Sequence, residues 1–373
     1  MVSAARGRSE KRDIVHTSLS ARGRGGRARY GGAVTEPMAA AETVAELGER
    51  EVLARILRRL PDVELPLGPG DDSAILPAPD GQVVVTSDTM IEGPDFRLEW
   101  SSPQQLGHKA MVSNLSDIAA MGARPTGLVV ALAVPGTTSA AFVEGLAEGM
   151  AGALRRHAPG CGIAGGDLAT APQVLIAVTA FGSLEGRAPV LRSGARPGDA
   201  LAVSGALGQS AAGLKLLFAG LRKSRDAEAQ RLMNAQLAPE PDLTAGLRAA
   251  RAGASAMMDL SDGPLLDADR LATASRVRID LEPGRFAHLS DRLASHLARL
   301  LGLKPLASAE LALELQLTGG EEHTMLATFP EGVALSAGFT RIGTVHEGTP
   351  GVTVGGRLAA AKGWDPYRDA SSK

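Results

Sequence analysis

Five short stretches of this chain each set an aspartate beside glycine, serine, threonine or asparagine, next to an apolar run. They are Gly70-Asp71-Asp72, Thr86-Ser87-Asp88-Thr89, Asn114-Leu115-Ser116-Asp117, Gly165-Gly166-Asp167 and Asp259-Leu260-Ser261-Asp262-Gly263. One such pair is only a turn or cap signal. Five of them, at apparent strand ends, turns and a helix, predict carboxylates converging from several elements onto one site. Converging carboxylates repel by roughly 1 kcal/mol per pair at about 4 Å in water, and by several times more where solvent is partly excluded. A hard cation between them removes the conflict. Mg²⁺ takes oxygen ligands and bridges carboxylates to substrate phosphates. The acidic residues therefore predict Mg²⁺-dependent phosphate chemistry.

The rest of the composition narrows the setting. A chain of 373 residues with 44% apolar and 21% charged residues builds a sizeable core and favours two domains. Aromatic residues are only 3%, so Ala, Val and Leu must fill that core. A formal net charge of -2 argues against a general nucleic-acid or anionic-membrane binder. The single cysteine, Cys161, excludes an intrachain disulfide and fits a reducing compartment. No run approaches the roughly 18 apolar residues of a membrane span, and no signal-peptide core is present. The expectation is a cytoplasmic enzyme. Residues 1–41 stand apart: a basic stretch rich in Gly, Ala and Ser, without apolar periodicity, which reads as a disordered tail.

Periodicity places the acidic stretches. Thr43 to Leu60 carries a helical stripe of Val44, Leu47, Val52, Ile56 and Leu60. Val83-Val84-Val85 reads as a buried strand delivering Thr86, Ser87 and Asp88 at its end. Leu106 to Met121 reads as a helix with Met111, Leu115 and Ile118 on one face and Asn114 and Asp117 together on another. Strand 128–134, helix 138–156, a Gly165-Gly166-Asp167 turn and an edge-to-core strand 174–181 complete an α/β domain over 42–185. After a Pro/Gly/Arg-rich connector, a second α/β domain over 186–373 opens with strand 200–203, loop 204–208 and helix 210–218. Helices follow at 243–252 and 265–274, then the Thr318-Gly319-Gly320-Glu321-Glu322 segment and strand 325–329. The loop Ser204-Gly205-Ala206-Leu207-Gly208 before its helix reads either as an anion cradle or as a plain strand-to-helix turn.

Several chemistries are missing. The chain has no Walker A loop, no dinucleotide-binding glycine motif and no Gly-x-Ser-x-Gly elbow. Its seven histidines lack His-x-x-x-His or His-x-x-His spacing, so a zinc site is not expected. Cys161, in Pro159-Gly160-Cys161-Gly162, reads as a small buried residue rather than a nucleophile.

The motifs run in a recognisable order. Gly-Asp-Asp-Ser-Ala at 70–74, Thr-Ser-Asp-Thr-Met-Ile-Glu-Gly at 86–93, the run His108 to Ala123 and Gly-Gly-Asp at 165–167 come first. Arg-Ser-Gly-Ala-Arg-Pro-Gly-Asp at 192–199, Ser-Ala-Ala-Gly-Leu at 210–214, Asp-Leu-Ser-Asp-Gly at 259–263 and Gly-Gly-Glu at 319–321 follow. Over about residues 42–367 the chain resembles the thiamine-monophosphate kinase family of the aminoimidazole-ribonucleotide-synthetase-like ATP-binding superfamily. The resemblance implies a mixed α/β fold of two domains, with the N-terminal sheet pairing across a homodimer. It implies ATP-dependent phosphorylation of thiamine monophosphate to thiamine diphosphate, direct and metal-assisted, with no protein nucleophile or base. By motif position, Asp72, Thr86, Ser87, Asp88, Asp117, Asp167, Asp259 and Asp262 would hold Mg²⁺. Gly166, Asp167, Arg192 and Ser261 would contact ATP, and Asp95, Glu321 and Tyr367 the substrate. The alternatives are another ATP-dependent superfamily member, or a catalytically silent ATP-binding regulator.

Three departures from the family pattern stand out. Asp95-Phe96 occupies the place of a usual His-Phe. The usual Gly-Gly-Glu-Asp-Tyr-Glu reads Gly319-Gly320-Glu321-Glu322-His323-Thr324. A usual Pro-x-Pro-Arg reads Pro239-Glu240-Pro241-Asp242.

Overall fold

The computed structural model describes residues 42–61 and 76–364; the basic segment 1–41, Asp72 and Tyr367 lie outside them. The helical stripe after Thr43 folds as two helices, α1 (Val44–Leu47) and α2 (Glu49–Leu57). Gly48 parts them at φ 74° and ψ 161°, a conformation open mainly to glycine. Apolar periodicity runs through such a break, which is why the sequence reads as one helix.

The first sheet is built from β1 (Val84–Ile91), β2 (Arg124–Val134), β3 (Ile163–Thr170) and β4 (Leu175–Ser183), in the order β1-β4-β2-β3. Only β2 and β3 run parallel. Helices α3 (Pro103–Ala120) and α4 (Ala140–His157) connect the strands. Leu106, Met111, Leu115 and Ile118 of α3 pack with Leu146 and Leu154 of α4 against Leu128, Ile176 and Val178 of the sheet. Both helices start with a serine, Ser102 and Ser139, whose hydroxyl accepts a first-turn N–H.

Among the described residues, α3 and α4 cover one face of this sheet, and its strands alternate. That alternation corrects two sequence expectations. β1 is an edge strand, not a buried one: Val83 and Val85 are 50% and 60% exposed. Thr86, Ser87 and Asp88 lie within β1, so Thr86 and Asp88 face α3 while Ser87 takes the open side. Gly165-Gly166-Asp167 is not a turn but the middle of the other edge strand, β3. β4, read from the sequence as an edge-to-core strand, lies between β1 and β2.

The second sheet begins with β5 (Ala200–Val203), followed by α5 (Gln209–Phe218), α6 (Ala227–Leu237) and α7 (Thr244–Arg251). β6 (Ala256–Asp259) leads into α8 (Pro264–Ser275), then β7 (Arg278–Leu281), α9 (Pro283–Leu301) and α10 (Pro305–Thr318). β8 (Met325–Phe329), β9 (Thr340–His346), β10 (Gly351–Val354) and β11 (Arg357–Leu358) complete it, in the order β11-β10-β7-β9-β5-β8-β6. α3 touches β6 as well as the first sheet, and Met257, Ala327 and Phe329 share its apolar core. One helix thus carries side chains toward both sheets. No helix among the described residues is long and apolar enough to cross a membrane.

A candidate active site of clustered carboxylates

Two elements of the first sheet layer begin the site. β1 offers Thr86 and Asp88, and α3 offers Asn114 and Asp117, one turn apart. The Thr86 hydroxyl donates to Asp117 Oδ2 at 2.7 Å. The Asp88 N–H donates to Asn114 Oδ1 at 3.1 Å, while Asn114 Nδ2 donates to the Ala110 carbonyl at 3.0 Å. The amide is therefore held from both ends, and strand and helix are locked in register.

The second sheet supplies the opposing carboxylates. Asp259 ends β6, 3% exposed, and receives the Ser116 hydroxyl of α3 at 3.0 Å. His323 Nδ1 lies 3.4 Å from the same oxygen. Asp262 follows in the turn, paired with Arg270 at 2.6 Å. Asp267, wholly buried in α8, accepts the N–H groups of Asp262 and Gly263, each at 3.0 Å, and so shapes that turn. The 319–324 segment is laced to it by backbone bonds: Glu321 N to Ser261 O at 2.8 Å and His323 N to Leu260 O at 2.9 Å. The approach is so close that a Cβ at Gly320 would stand 2.3 Å from the Ser261 carbonyl. Glu321 and His323 adopt φ of 60° and 52°, left-handed values that non-glycine residues take at a cost of about 1–3 kcal/mol each.

Electrostatics follow from this crowding. Burial first, and then Asp259, push the Asp117 carboxyl up to about 7, against the Thr86 hydrogen bond. Asp88 is raised by burial and then by Asp259, with His323 opposing. Burial works to lower His323, yet the Asp259 carboxylate holds it above its ordinary value. Glu321 shows the reverse balance: burial raises it, but Lys109, 2.6 Å away, outweighs burial and holds it low.

Cavities lie on both sides of the acidic cluster. A cavity of about 660 Å³ is bordered by Asp95, Arg97, Trp100, Lys109, Glu321 and Trp364. Its wall stacks Arg97 4.6 Å over Trp100, which meets Phe218 edge-on at 4.8 Å. A smaller one of about 190 Å³ shares Asp95, Lys109, Glu321 and Trp364 with it and adds Asp88, Asp262 and His323. A third, about 520 Å³, opens beside Thr86, Asp117, Arg192 and Ser193.

Of the residues expected at the site, Thr86, Asp88, Asp117, Asp259 and Asp262 come together, with Ser261 and Glu321 beside them. Ser87 and Asp167 do not join them: both are exposed on the open face of the first sheet. Strand alternation is the reason, since neighbours in sequence point to opposite faces. Gly166 pairs with Val130 in β2 next to Asp167, and Arg192 lines the third cavity. Asp95 lies in the loop that follows β1. Its Oδ2 accepts the Ile91 N–H at 2.8 Å, tying the loop after β1 back onto the strand.

The anion-cradle reading of 204–208 also resolves. The start of α5 is occupied by the chain's own Glu322, whose carboxylate accepts Ser210 N–H at 2.9 Å. Lys109, Ser116, His323 and Asp267 were not among the expected site residues. A signal for two of them exists: Lys109, Ser113, Ser116 and Asp117 recur at helical spacing, a polar stripe in an otherwise apolar α3. Cys161 is buried, as expected, and burial pushes its thiol up to about 12.

Known proteins resemble this chain in sequence and fold. Residues 70–184 match the model of the AIR synthase related protein, N-terminal domain. A thiamine-monophosphate kinase of Mycobacterium tuberculosis is 42% identical over 334 residues, covering 89% of this chain and 95% of its own. The Escherichia coli K12 enzyme of that name is 34% identical over 328 residues, covering 86% and 94%. Among solved structures, AaThiL complexed with AMPPCP and TMP superposes with a TM-score of 0.67 at 30% identity, covering 87% of this chain and 99% of that one. The chain belongs to the thiamine-monophosphate kinase family, phosphotransferases of the aminoimidazole-ribonucleotide-synthetase-like fold.

Proposed function

We propose that this chain transfers the γ-phosphoryl group of ATP to thiamine monophosphate, giving thiamine diphosphate and ADP by direct in-line displacement. The observation that carries the reading is the order of the cavities. The pocket beside Arg192 and Ser193 suits the nucleotide, the aromatic pocket beside Trp100 and Trp364 suits a flat heterocycle, and the acidic cluster lies where two phosphates would meet. The names and bound ligands of the relatives support the same substrates.

The acidic cluster fits Mg²⁺. Every candidate ligand is an oxygen, the donor type of a hard cation. Burial, and then the neighbouring Asp259, push Asp117 up to about 7, so the ionised cluster calls for a positive charge. Thr86, Asp88, Asp117, Asp259 and Asp262 would hold the ion or ions, with Asp72 from the preceding segment. Bound there, Mg²⁺ would neutralise the phosphates and favour charge build-up on the leaving group.

The chain's own residues do the positioning. Lys109 stands at the junction of the two acceptor-side cavities, where its ammonium can meet the acceptor phosphate. A phosphate monoester is largely deprotonated near pH 7, so its oxygen attacks without a protein base. Its electron pair forms the new P–O bond as the γ-phosphorus–bridging-oxygen bond breaks. The loop closed by Asp95 and the wall of Trp100 and Trp364 hold the heterocycle in line, with Glu321 and Tyr367 as further substrate contacts.

A second copy completes the assembly. The open face of the first sheet presents Val85 and the partly covered Val129, Ala133 and Leu175, together with Ser87 and Asp167. Such a face suits a matching sheet in a homodimer, and Ser87, Gly166 and Asp167 would meet metal or nucleotide at that seam. An ATP- and Mg²⁺-binding domain over 42–185 and a C-terminal domain over 186–373 would then divide the work. A single cysteine and an ATP-dependent reaction support a cytoplasmic setting.

The test is ADP release coupled to thiamine diphosphate formation. One ADP per thiamine diphosphate, with negligible ADP when the acceptor is omitted, is the expected result. Tight ATP binding without turnover would establish the silent regulator instead, and turnover only on another acceptor a different superfamily activity.

A further inference from the structure

Away from the carboxylate cluster, three distant segments bring metal-type ligands together. His108 lies in the second turn of α3, His157 is the last residue of α4, and Glu240 sits in the connector between α6 and α7. One ligand atom from each lies within 4.8 Å of the others. His157 Nε2 is 3.1 Å from Glu240 Oε2, and His108 Nε2 is 3.8 Å from Glu240 Oε1. Tetrahedral ligands at zinc bond lengths of about 2.0–2.1 Å stand about 3.3 Å apart, so these contacts already bracket a coordination edge.

A second observation points to a ligand. The His157 side chain is 6% exposed, and its Nε2 faces Glu240 Oε2 at 3.1 Å without the alignment of a good hydrogen bond. A buried ring nitrogen left without an aligned hydrogen bond is uncommon in a native protein. It is aimed at a carboxylate that is itself 44% exposed, so an ion can enter from solvent. Burial favours the neutral imidazole at His157, the form that ligates; Glu240 opposes this, and His108 and Arg156 reinforce it.

We propose that His108, His157 and Glu240 form a binding site for one divalent transition-metal ion of the zinc, cobalt and nickel class, separate from the Mg²⁺ cluster. Two imidazoles and a carboxylate with positions left open are borderline-soft ligands, matched to these ions rather than to Mg²⁺. His108 precedes Asp117 by nine residues, about 13 Å along α3, so one ion cannot serve both sites. Loading gives up the His108 Nε2–H hydrogen bond to the Pro239 carbonyl at 2.7 Å, the ring keeping its proton on Nδ1 and ligating through Nε2. It also requires Arg156, 66% exposed and paired with Glu240 Oε2, to swing aside. The bound ion pins the end of α4 and the 238–243 connector to α3, the helix that carries Lys109, Asn114 and Asp117.

The experiment uses the full chain without a purification tag, stripped of metal and titrated with Co²⁺ in the presence of excess Mg²⁺. One equivalent should bind with visible absorption bands of low-coordinate cobalt, Zn²⁺ should bleach them, and the melting temperature should rise with either ion. Glu240→Gln, at an exposed position, and His157→Gln should each weaken binding by at least about tenfold, while Asp117→Asn should leave it unchanged. Circular dichroism of the metal-free variants checks that they fold. If His157→Gln misfolds, Glu240→Gln alone decides. The proposal is overturned if no saturable cobalt site appears. It is equally overturned if folded Glu240→Gln binds as well as wild type, or if Mg²⁺ or Asp117→Asn abolishes the signal, which would put the ion in the carboxylate cluster.

Discussion

The ammonium of Lys109 lies 2.6 Å from the Glu321 carboxylate, where the cavity beside Trp100 and the smaller one beside Asp88 and Asp262 adjoin. Lys109 is 4% exposed, one of few lysines in any fold to be so covered, and burying it without a partner would be costly. Glu321 balances its charge, and Gln236 donates to the other carboxylate oxygen of Glu321. Under the proposed function, an incoming phosphate would compete with Glu321 for the same ammonium.

Removing that ammonium should act on the acceptor side. Lys109→Met is expected to lower kcat/KM for thiamine monophosphate by about 10²-fold, about 2.7 kcal/mol, with KM for ATP changed less than about threefold. Steady-state kinetics with each substrate varied in turn decide this. Equal loss toward both substrates would mean a general packing defect instead.

Asp117 should trade stability against activity. Its carboxyl is pushed up to about 7, so its ionised form is unfavourable in the folded chain without metal. Asp117→Asn keeps an oxygen to accept the Thr86 hydroxyl and removes the charge. Melting in excess chelator at pH 8 should therefore show a higher transition for the variant, while kcat with Mg²⁺ falls by about 10²-fold or more. A variant less stable than wild type under chelation would contradict the electrostatic account.

Glu322 carries a pH signature. Burial pushes its carboxyl up to about 7, although the first N–H groups of α5 work to lower it. A carboxyl raised above its unfolded value of about 4.3 binds more protons folded than unfolded. It costs nothing below that unfolded value, lowers stability as pH climbs toward 7, and costs a constant amount above. Glu322→Gln, which still accepts from Ser210, should match wild type near pH 4.5 and exceed it in melting temperature at pH 8. Parallel melting curves across that range would refute the assignment.

The Asp95 loop offers a conservative pair. Since Asp95 Oδ2 accepts the Ile91 N–H, Asp95→Asn should keep the loop and change KM for thiamine monophosphate less than about threefold. Asp95→Ala loses the acceptor and should raise that KM by about tenfold. An equally raised KM in both variants would show that charge, not loop closure, matters at this position.

Helical spacing alone put Asn114 and Asp117 on one face of α3, and the Asp259-to-Gly263 turn was legible because aspartate, serine and glycine have strong local preferences. These are properties of a few adjacent residues, so they survive in any context. The same local logic could not see that Gly48 breaks a helix, or that Gly165-Gly166-Asp167 is strand rather than turn. A glycine pair lowers the local signal for a strand, and only pairing with β2 restores it.

What the sequence by itself determined is therefore the inventory: oxygen ligands for a hard cation, the helix and turn that carry them, and the family they belong to. What only the tertiary structure decided is which of them meet. Alternation along β1 and β3, set by which face of the sheet α3 and α4 cover, joins Thr86 and Asp88 to Asp117 and turns Ser87 and Asp167 away. Docking of the 319–324 segment against the Asp259 turn lets Glu322 fill a helix start that the sequence offered to an outside anion. Packing of α3, α4 and the α6–α7 connector likewise assembles His108, His157 and Glu240, whose separations in sequence match no metal motif. Contacts between residues a hundred positions apart depend on the summed packing of whole elements, and no local pattern encodes that sum.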